Sequence, residues 1–190
     1  METPPPTTSE EFDRTYRLPF TYWSDIRIPR EINDLIQEKT PRSVLELGCG
    51  IGRLSQHFAQ QGLNVTGVDF SPVAIAKAQE NARRGKVSAK FLVGDVTCLN
   101  EITNPFDISF DVGCFHCLDA RAQQKYASEV FRLLKPGGVH LIWALDSPPS
   151  GIPLSKTIIS EIFTPSFDLR NAELSRRRLF RSHWYWLVRS

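Results

Sequence analysis

The first residues along the chain with a pattern typical of a ligand site form a glycine loop. Gly48, Gly50 and Gly52 directly follow an apolar run, with Cys49 between the first two. This pattern lets the backbone turn tightly and lie against a ligand, because no Cβ stands in the way. Dinucleotide enzymes also have such a loop, but theirs is spaced G-x-G-x-x-G, whereas this one is G-x-G-x-G. Glu46 precedes the first glycine by two residues, and its carboxylate suits a cationic ligand better than a pyrophosphate.

Two aspartates follow the next two apolar runs. Asp69 lies seventeen residues beyond Gly52, where a carboxylate can accept two hydrogen bonds from a ribose diol. Asp95 follows the third run, where it can accept from an adenine amine while Val96 packs on the ring. Each aspartate alone is typical of a turn or a helix N-cap. Three acids in this order, at the ends of three successive runs, favour a ligand site instead.

The fourth apolar run leads to the residues that we predict to lie nearest the reacting group. We predict catalytic roles for Asp111 and His116, since the unperturbed histidine pKa of about 6.5 suits a general base; a packed or capping histidine is the alternative. Cys114 and Cys117 either bind a soft acceptor or are small buried residues. This single C-x-x-C pair lacks the second pair that a structural zinc site needs, so no metal is predicted.

The periodicity of the chain supplies the elements that must position these residues. Ile32, Leu35 and Ile36 form one apolar stripe and predict a first helix. Ser71 followed by Pro72 predicts the start of another. The remaining periodic segments predict strands at 43–47, 64–68, 90–93, 107–112 and 139–145, a short helix near 154–163, and an antiparallel pair of strands near 166–174 and 182–189.

Strands that alternate with helices predict an α/β fold, a doubly wound parallel sheet with helices on both faces. Ligands bind such sheets at the carboxyl ends of the strands. A length of 190 residues fits one domain, which we place at residues 15–190. Residues 1–14 are rich in Pro, Thr and Glu, so we predict a flexible N-terminal tail there.

Composition excludes several other classes of protein. The chain is 41% hydrophobic and 23% charged, as soluble globular proteins are, and no stretch approaches the roughly 20 apolar residues of a membrane helix. The N-terminal residues lack the features of a secretory signal, so we expect a cytoplasmic protein. A net charge of +2 is too even to indicate nucleic acid. One basic cluster predicts a solvated face, with an RNA contact as the alternative: Arg176, Arg177, Arg178, Arg181 and Arg189.

In combination, five stretches resemble the class I S-adenosylmethionine-dependent methyltransferases. They are VLELGCGIGRLS (44–55), VTGVDFSPVAIAKA (65–78), FLVGDV (91–96), FDISFDVGCFHCL (106–118) and RLLKPGGVHLI (132–142). The resemblance implies a Rossmann-like, seven-stranded sheet in the order 3-2-1-4-5-7-6 with the last strand antiparallel. It also implies S-adenosyl-L-methionine as cofactor and S-adenosyl-L-homocysteine as product.

The resemblance further implies where each part of the cofactor is held. Glu46 and the glycine loop would surround the methionine part, Asp69 would hold the ribose, and Asp95 would hold the adenine. The complete cofactor site that we predict comprises Trp23, Glu46, Gly48, Cys49, Gly50, Gly52, Asp69, Phe70, Ser71, Asp95, Val96, Asp111, Val112 and Gly113.

A narrower similarity concerns the segment PFTYWSDIRIPREINDLI (19–36). It is similar to the N-terminal segment of the thiopurine and tellurite-resistance methyltransferase branch, in which a Trp-containing turn precedes a helix over the cofactor. Trp23 matches that aromatic residue, with simple core packing as the alternative. The sequence departs from the branch at Val112, where an arginine is frequent, so no substrate is carried over. We also predict that residues 1–25 close over the cofactor only when it is bound.

The predicted reaction is an in-line methyl transfer, which requires positioning more than a nucleophile or a metal. We expect a small-molecule acceptor that is methylated on S, N or O, with aromatic residues enclosing it. One alternative is an RNA or protein methyltransferase that uses the basic C-terminal region. Another is a cofactor-binding member of the fold that catalyses a non-transfer reaction. We expect no membrane partner, and a monomer or a homodimer.

Overall fold

A seven-stranded mixed sheet organises the computed structural model, which describes residues 8–18, 21, 27–148, 150–175 and 180–190. The strand order β3-β2-β1-β4-β5-β7-β6 confirms the predicted topology. The first five strands are parallel, and β7 runs antiparallel to both β5 and β6. The strands are β1 (Ser43–Leu47), β2 (Asn64–Asp69), β3 (Lys90–Val93), β4 (Phe106–Val112), β5 (Leu134–Leu145), β6 (Phe167–Leu174) and β7 (Ser182–Arg189).

Helices connect the strands and cover the sheet. Ser71 accepts a hydrogen bond from the Ala74 amide, so the helix start predicted there is confirmed. Asp119 caps a second helix in the same way, by accepting from the Ala122 amide. The helices are α1 (Ser9–Arg17), α2 (Arg30–Lys39), α3 (Arg53–Gln60), α4 (Pro72–Gly85), α5 (Ala120–Leu133) and α6 (Lys156–Phe163), with a short 3₁₀ helix at Phe115–Cys117.

Helix α1 includes part of the segment, residues 1–14, that we predicted to be a flexible tail. Residues 9–14 lie within this helix, whereas residues 1–7 fall outside the described residues. The Thr8 hydroxyl accepts from the Glu11 amide, and the Glu11 carboxylate accepts from the Thr8 amide at 3.1 Å. This capping box is visible in the sequence as T-x-x-E. The Pro-, Thr- and Glu-rich composition outweighed it in our prediction.

Strand β5 begins earlier than predicted, at Leu134 rather than Val139. Leu134 pairs with Phe106, and the next pair is Val139 with Ile108. Residues 135–138 therefore form an irregularity inside the strand instead of a separate break before it.

Apolar side chains cover both faces of the sheet. On one face the buried residues include Tyr126 and Leu133 of α5 and Phe163 of α6; on the other they include Ile32 of α2 and Phe58 of α3. Burying each large apolar side chain contributes about 1.5–3 kcal/mol, so both layers hold the central strands in register. Within the described residues, no helix has the length and apolar character needed to cross a membrane.

Candidate functional site

The glycine loop follows β1 and folds over the end of β2. The amides of Gly48 and Cys49 both donate to the Val68 carbonyl, at 2.8 and 2.9 Å. Gly48, Gly50 and Gly52 have φ angles of 72°, 53° and 74°, a region that side chains with a Cβ rarely adopt. The predicted loop is therefore a tight turn at the carboxyl edge of the sheet.

Glu46 lies at the end of β1 beneath this loop and is 4% exposed. Its Oε2 atom accepts from the Ser55 amide at 2.8 Å and from the Ser55 hydroxyl at 2.5 Å. Burial, with smaller contributions from the charges of Asp69 and Asp111, raises the pKa of Glu46 to about 8, although the hydrogen bonds from Ser55 oppose this effect. The carboxyl group thus links β1 to helix α3. A nearby cation would favour its ionised form.

Asp69 ends β2 and joins two parts of the site. Its Oδ2 atom accepts from the Gly50 amide at 2.8 Å, and its Oδ1 atom accepts from the Ser71 amide at 2.9 Å. Burial raises the pKa of this carboxyl group, and the charge of Asp13 adds to that effect. Phe70, which follows it, is 38% exposed and presents an apolar ring at the rim.

Asp95 follows β3 and is the most exposed of the predicted acids. Its Oδ1 atom accepts from the Thr97 amide at 2.8 Å, which is the turn geometry that we gave as the alternative. Val96 beside it is buried. The structure therefore brings an acid and an apolar residue together at this strand end, as the predicted adenine site requires.

Asp111, at the end of β4, is fully buried. It accepts from the Cys114 amide at 2.8 Å, from the Phe115 amide at 2.7 Å and from the Tyr126 hydroxyl at 2.9 Å. Burial raises its pKa to about 6. A carboxylate that accepts from three donors of its own chain organises the loop, and the catalytic role that we predicted for Asp111 stays a prediction.

His116 follows in the 3₁₀ helix and is 6% exposed. Its Nδ1 atom accepts from the Leu145 amide at 3.2 Å, and its carbonyl accepts from the Ser150 hydroxyl at 2.8 Å. Burial lowers the pKa of His116 to about 4, so the ring is neutral at pH 7. The Trp143 ring packs edge-on against it, with the ring centroids 5.8 Å apart. This geometry favours the packed histidine that we gave as the alternative to a general base.

The nearby cysteines are thiols rather than thiolates. Burial raises the pKa of Cys117 to about 12 and that of Cys114 well above its usual range. The side chain of Cys114 lies directly against the glycine loop, since a Cβ built on Gly48 would stand 2.5 Å from its Cβ. Across the described part of the chain, no three His, Cys, Asp or Glu side chains are grouped so that they could hold a metal.

Helix α1 adds residues that the sequence did not single out. The Asp13 carboxylate accepts from the Ser71 hydroxyl and, at 3.4 Å, from the Val73 amide. Phe12 packs edge-on against Phe70, with centroids 5.1 Å apart. A Cβ built on Gly50 would stand 2.9 Å from the Tyr16 hydroxyl oxygen. The helix therefore lies over the glycine loop and the start of α4, and the T-x-x-E box was the signal that could have revealed it.

Some predicted residues lie outside the described part of the chain. Trp23 is one of these. The arginines at positions 176–178 are others. The predicted roles of these residues therefore stay predictions.

The electrostatic character of the site is anionic. Glu46, Asp69 and Asp111 lie close enough for the charges of the last two to raise the pKa of the first. The Cys114 pKa, raised chiefly by burial, responds to both Asp69 and Asp95 as well. A pyrophosphate would be repelled by the charges of Asp69 and Asp111, whereas a nucleoside that carries a positively charged sulfur and an ammonium group fits them and would favour the ionised form of Glu46.

Comparison with known proteins agrees with this geometry. Residues 44–138 match the family model of the methyltransferase domain, so the chain belongs to that family. Its class is that of the S-adenosylmethionine-dependent methyltransferases, as the resemblance indicated.

Individual relatives extend the comparison. The chain is 30% identical over 143 residues to the demethylmenaquinone methyltransferase of Thermus thermophilus, covering 74% of this chain and 63% of that protein. Two solved structures share the fold with a TM-score of 0.73. Magnesium protoporphyrin IX methyltransferase from Synechocystis with bound S-adenosylhomocysteine is 17% identical, with 96% of this chain and 95% of that chain covered. TehB from Haemophilus influenzae is 20% identical, with 96% and 66% covered. The chain thus spans less than two thirds of the length of the Thermus relative.

Proposed function

We propose that this protein transfers a methyl group from S-adenosylmethionine to a small-molecule acceptor by in-line displacement. The observation that carries the proposal is the convergence of Glu46, Asp69 and Asp111 beside a glycine loop at one edge of the sheet. A cationic cofactor favours the ionised form of these carboxyl groups, whereas the pyrophosphate of a dinucleotide would disfavour it.

Each part of the site has a task in binding. Both oxygens of Asp69 already accept one amide each, and a carboxylate has about four acceptor positions, so it can still bind both hydroxyls of a ribose. Asp95 and Val96 flank the adenine. Glu46 balances the positive charge of the methionine part. The bound cofactor supplies an activated methyl group, and the chain's residues orient it and keep water away.

The acceptor side lies beyond the loop that follows β4. His116 and Trp143 are packed together there, and the Trp143 indole donates to the Ser175 hydroxyl at 2.9 Å. A neutral imidazole and a buried indole suit an uncharged, partly apolar molecule better than a charged polymer. The small-molecule substrate in the name of the Thermus relative supports the same class of acceptor. His116 would orient this acceptor rather than serve as a strong base.

Two finer assignments belong to the same proposal. We place the protein near the thiopurine and tellurite-resistance branch, for which the structural likeness to TehB is the support. We further propose a cytoplasmic protein. The alternative of an RNA or protein acceptor depended on the basic C-terminal cluster, in which Arg181 pairs with Asp146 and Arg189 stacks on the Phe131 ring. The other arginines of that cluster, at positions 176–178, lie outside the described residues.

Calorimetric titration with S-adenosylmethionine and S-adenosylhomocysteine tests the cofactor site. We expect saturable binding by the wild type and its loss in Asp69→Ala. The matched control is Asp168→Ala, which removes an exposed aspartate on β6 that pairs with Arg170. Binding that survives Asp69→Ala unchanged would contradict the assignment of the ribose site. A screen of thiol, phenol and amine acceptors for S-adenosylhomocysteine formation then tests the transfer itself.

A further inference from the structure

A chain of buried hydrogen bonds runs behind the loop that follows β4. Ser109, Asp111, Tyr126 and His140 are all fully buried, and they come from β4, α5 and β5. The Tyr126 hydroxyl oxygen lies 2.9 Å from Asp111 Oδ2 and 3.1 Å from His140 Nε2. His140 Nδ1 lies 2.8 Å from the Ser109 hydroxyl. Polar groups buried at this depth cost free energy unless each has a partner, and here each has one.

The direction of these hydrogen bonds follows from the number of protons. Burial lowers the pKa of His140 to about 3, so its ring is neutral and offers one donor and one acceptor. Tyr126 has a single hydroxyl proton, which it donates to the Asp111 carboxylate. Its oxygen then accepts from His140 Nε2, and His140 Nδ1 accepts from Ser109. Every donor in the chain therefore points toward Asp111.

Asp111 connects this chain of hydrogen bonds to the loop that follows β4. Its Oδ1 atom accepts from the Cys114 amide and its Oδ2 atom from the Phe115 amide. These bonds shape a turn in which Gly113 has a φ of 99°. The turn brings Cys114 against the glycine loop, where a Cβ on Gly48 would lie 2.5 Å from its own Cβ. The loops after β1 and β4 are thus in direct contact.

We infer that Tyr126 is a positioning residue of the cofactor site: its hydroxyl holds Asp111, which sets the turn that presses Cys114 against Gly48. The inference rests on the proposed function, because it assigns the two loops to S-adenosylmethionine binding. Tyr126 itself lies behind the site and acts through Asp111.

A purely structural hydroxyl would behave differently. Its removal would lower stability, but the chains that remain folded would bind the cofactor as before. If Tyr126 acts through Asp111, its removal lets the loop sample other conformations in the folded protein. The apparent affinity then falls by the fraction of molecules in which the loop is correctly held.

The test compares the binding of S-adenosylhomocysteine by calorimetry, well below the melting temperature, in four proteins: wild type, Tyr126→Phe, Asp111→Asn and the double variant. We expect Tyr126→Phe to raise Kd about tenfold, the scale of one lost hydrogen bond to a buried charge. We expect it to add little once Asp111→Asn is present, because both changes break the same contact. Tyr185→Phe is the control, since Tyr185 is a buried tyrosine on the same face of the sheet but outside this chain of hydrogen bonds.

Hydrogen exchange gives a second measurement in the unliganded protein. The amides of Cys114 and Phe115 should exchange faster in Tyr126→Phe than in the wild type or in Tyr185→Phe. An unchanged Kd for Tyr126→Phe, unchanged protection of these amides, or effects that simply add would each overturn the inference while leaving the cofactor site intact. Failure of the wild type to bind S-adenosylhomocysteine would instead overturn the proposed function, and the inference with it.

Discussion

The carboxyl groups of Glu46 and Asp69 bond to their own chain, and in the proposed function they also bind the cofactor. Both Ser55 bonds to Glu46 fall on Oε2, and its Oε1 atom receives no bond from the described residues. Asp69 divides its two amide bonds between its oxygens. The same side chains therefore shape the loops in the free protein and keep acceptor positions for the cofactor. Burial is the main cause of their raised pKa values, and for Glu46 the charges of Asp69 and Asp111 add to it.

The raised pKa of Glu46 predicts that cofactor binding is linked to the loss of a proton from this group. At pH 7 the group is mostly protonated, because its pKa is about 8, and a cationic ligand favours its ionised form. Binding of S-adenosylmethionine should therefore release a proton, and affinity should rise with pH up to about pH 8, by at most about tenfold per unit. Calorimetry in buffers of different ionisation enthalpy measures the release. Glu46→Gln should abolish it, whereas Glu161→Gln, on the exposed side of α6, should not. Proton uptake by the wild type would contradict the prediction.

A second carboxylate acts on stability at the opposite edge of the sheet. Asp107 accepts from the amides of Arg42 and Ser43 and from the Lys135 ammonium, at 2.8, 2.9 and 2.5 Å. Burial alone would raise its pKa, but the hydrogen bonds from Lys135, Ser43 and Arg42 outweigh that effect and lower it to about 2. A lowered pKa stabilises the fold above the unfolded value near 3.8, and this contribution is lost as pH falls toward 2.

Asp107→Ala should accordingly lose about 1 kcal/mol of unfolding free energy at pH 7, a modest value because solvent screens this partly exposed group. The difference from the wild type should shrink as pH falls from about 4 toward 2. Urea unfolding over that range measures it, and Asp34→Ala, at an exposed pair with Arg30, is the control. A difference that stays constant down to the lowest pH would show that Asp107 is not the titrating group.

At the scale of elements, the prediction from sequence succeeded where pattern is local. The strands at 43–47 and 90–93 match β1 and β3, because short apolar runs ended by glycine or aspartate leave few alternatives. Helix α1 was missed, since composition suggested a tail and its packing partners lie about 60 residues away in α4. Tyr126, which donates to Asp111, was missed for a similar reason, because a contact between a strand and a helix produces no periodic pattern in the sequence.

The prediction at the scale of elements concerns hydrogen exchange in helix α1. Cofactor binding should slow hydrogen exchange in residues 9–17, because the helix lies over the glycine loop. Asp13→Ala removes the acceptor for Ser71 and should speed that exchange in the free protein. It should also weaken S-adenosylhomocysteine binding about fivefold, the scale of one hydrogen bond. Asp168→Ala is the matched control. Identical exchange of α1 with and without cofactor would exclude closure of this helix.

At the scale of the whole molecule, the strand order brings together residues that are distant in the sequence. Parallel strands β1, β2, β3 and β4 end at the same edge, so acids up to 65 positions apart in the sequence meet there. The order of these acids along the chain predicted this meeting, because the fold class fixes which ends are neighbours. The sequence could not predict how the proposed acceptor side is packed, since that depends on where β5, the 3₁₀ helix and the β6–β7 pair place their side chains.

Because the site is assembled from several elements, a ligand that binds there should raise the free energy of unfolding of the whole chain. A ligand that binds only the folded chain stabilises it by about 2.7 kcal/mol at a hundred times its Kd, which for a chain of this size raises the melting temperature by about 5–10 °C. S-adenosylmethionine should produce such a shift, and Asp69→Ala should abolish most of it. NADH should produce none, because its pyrophosphate would be repelled by the charges of Asp69 and Asp111, which lie close enough to raise the pKa of Glu46. An equal shift with NADH would mean that the carboxylates do not select for positive charge, and that the glycine loop alone decides what binds.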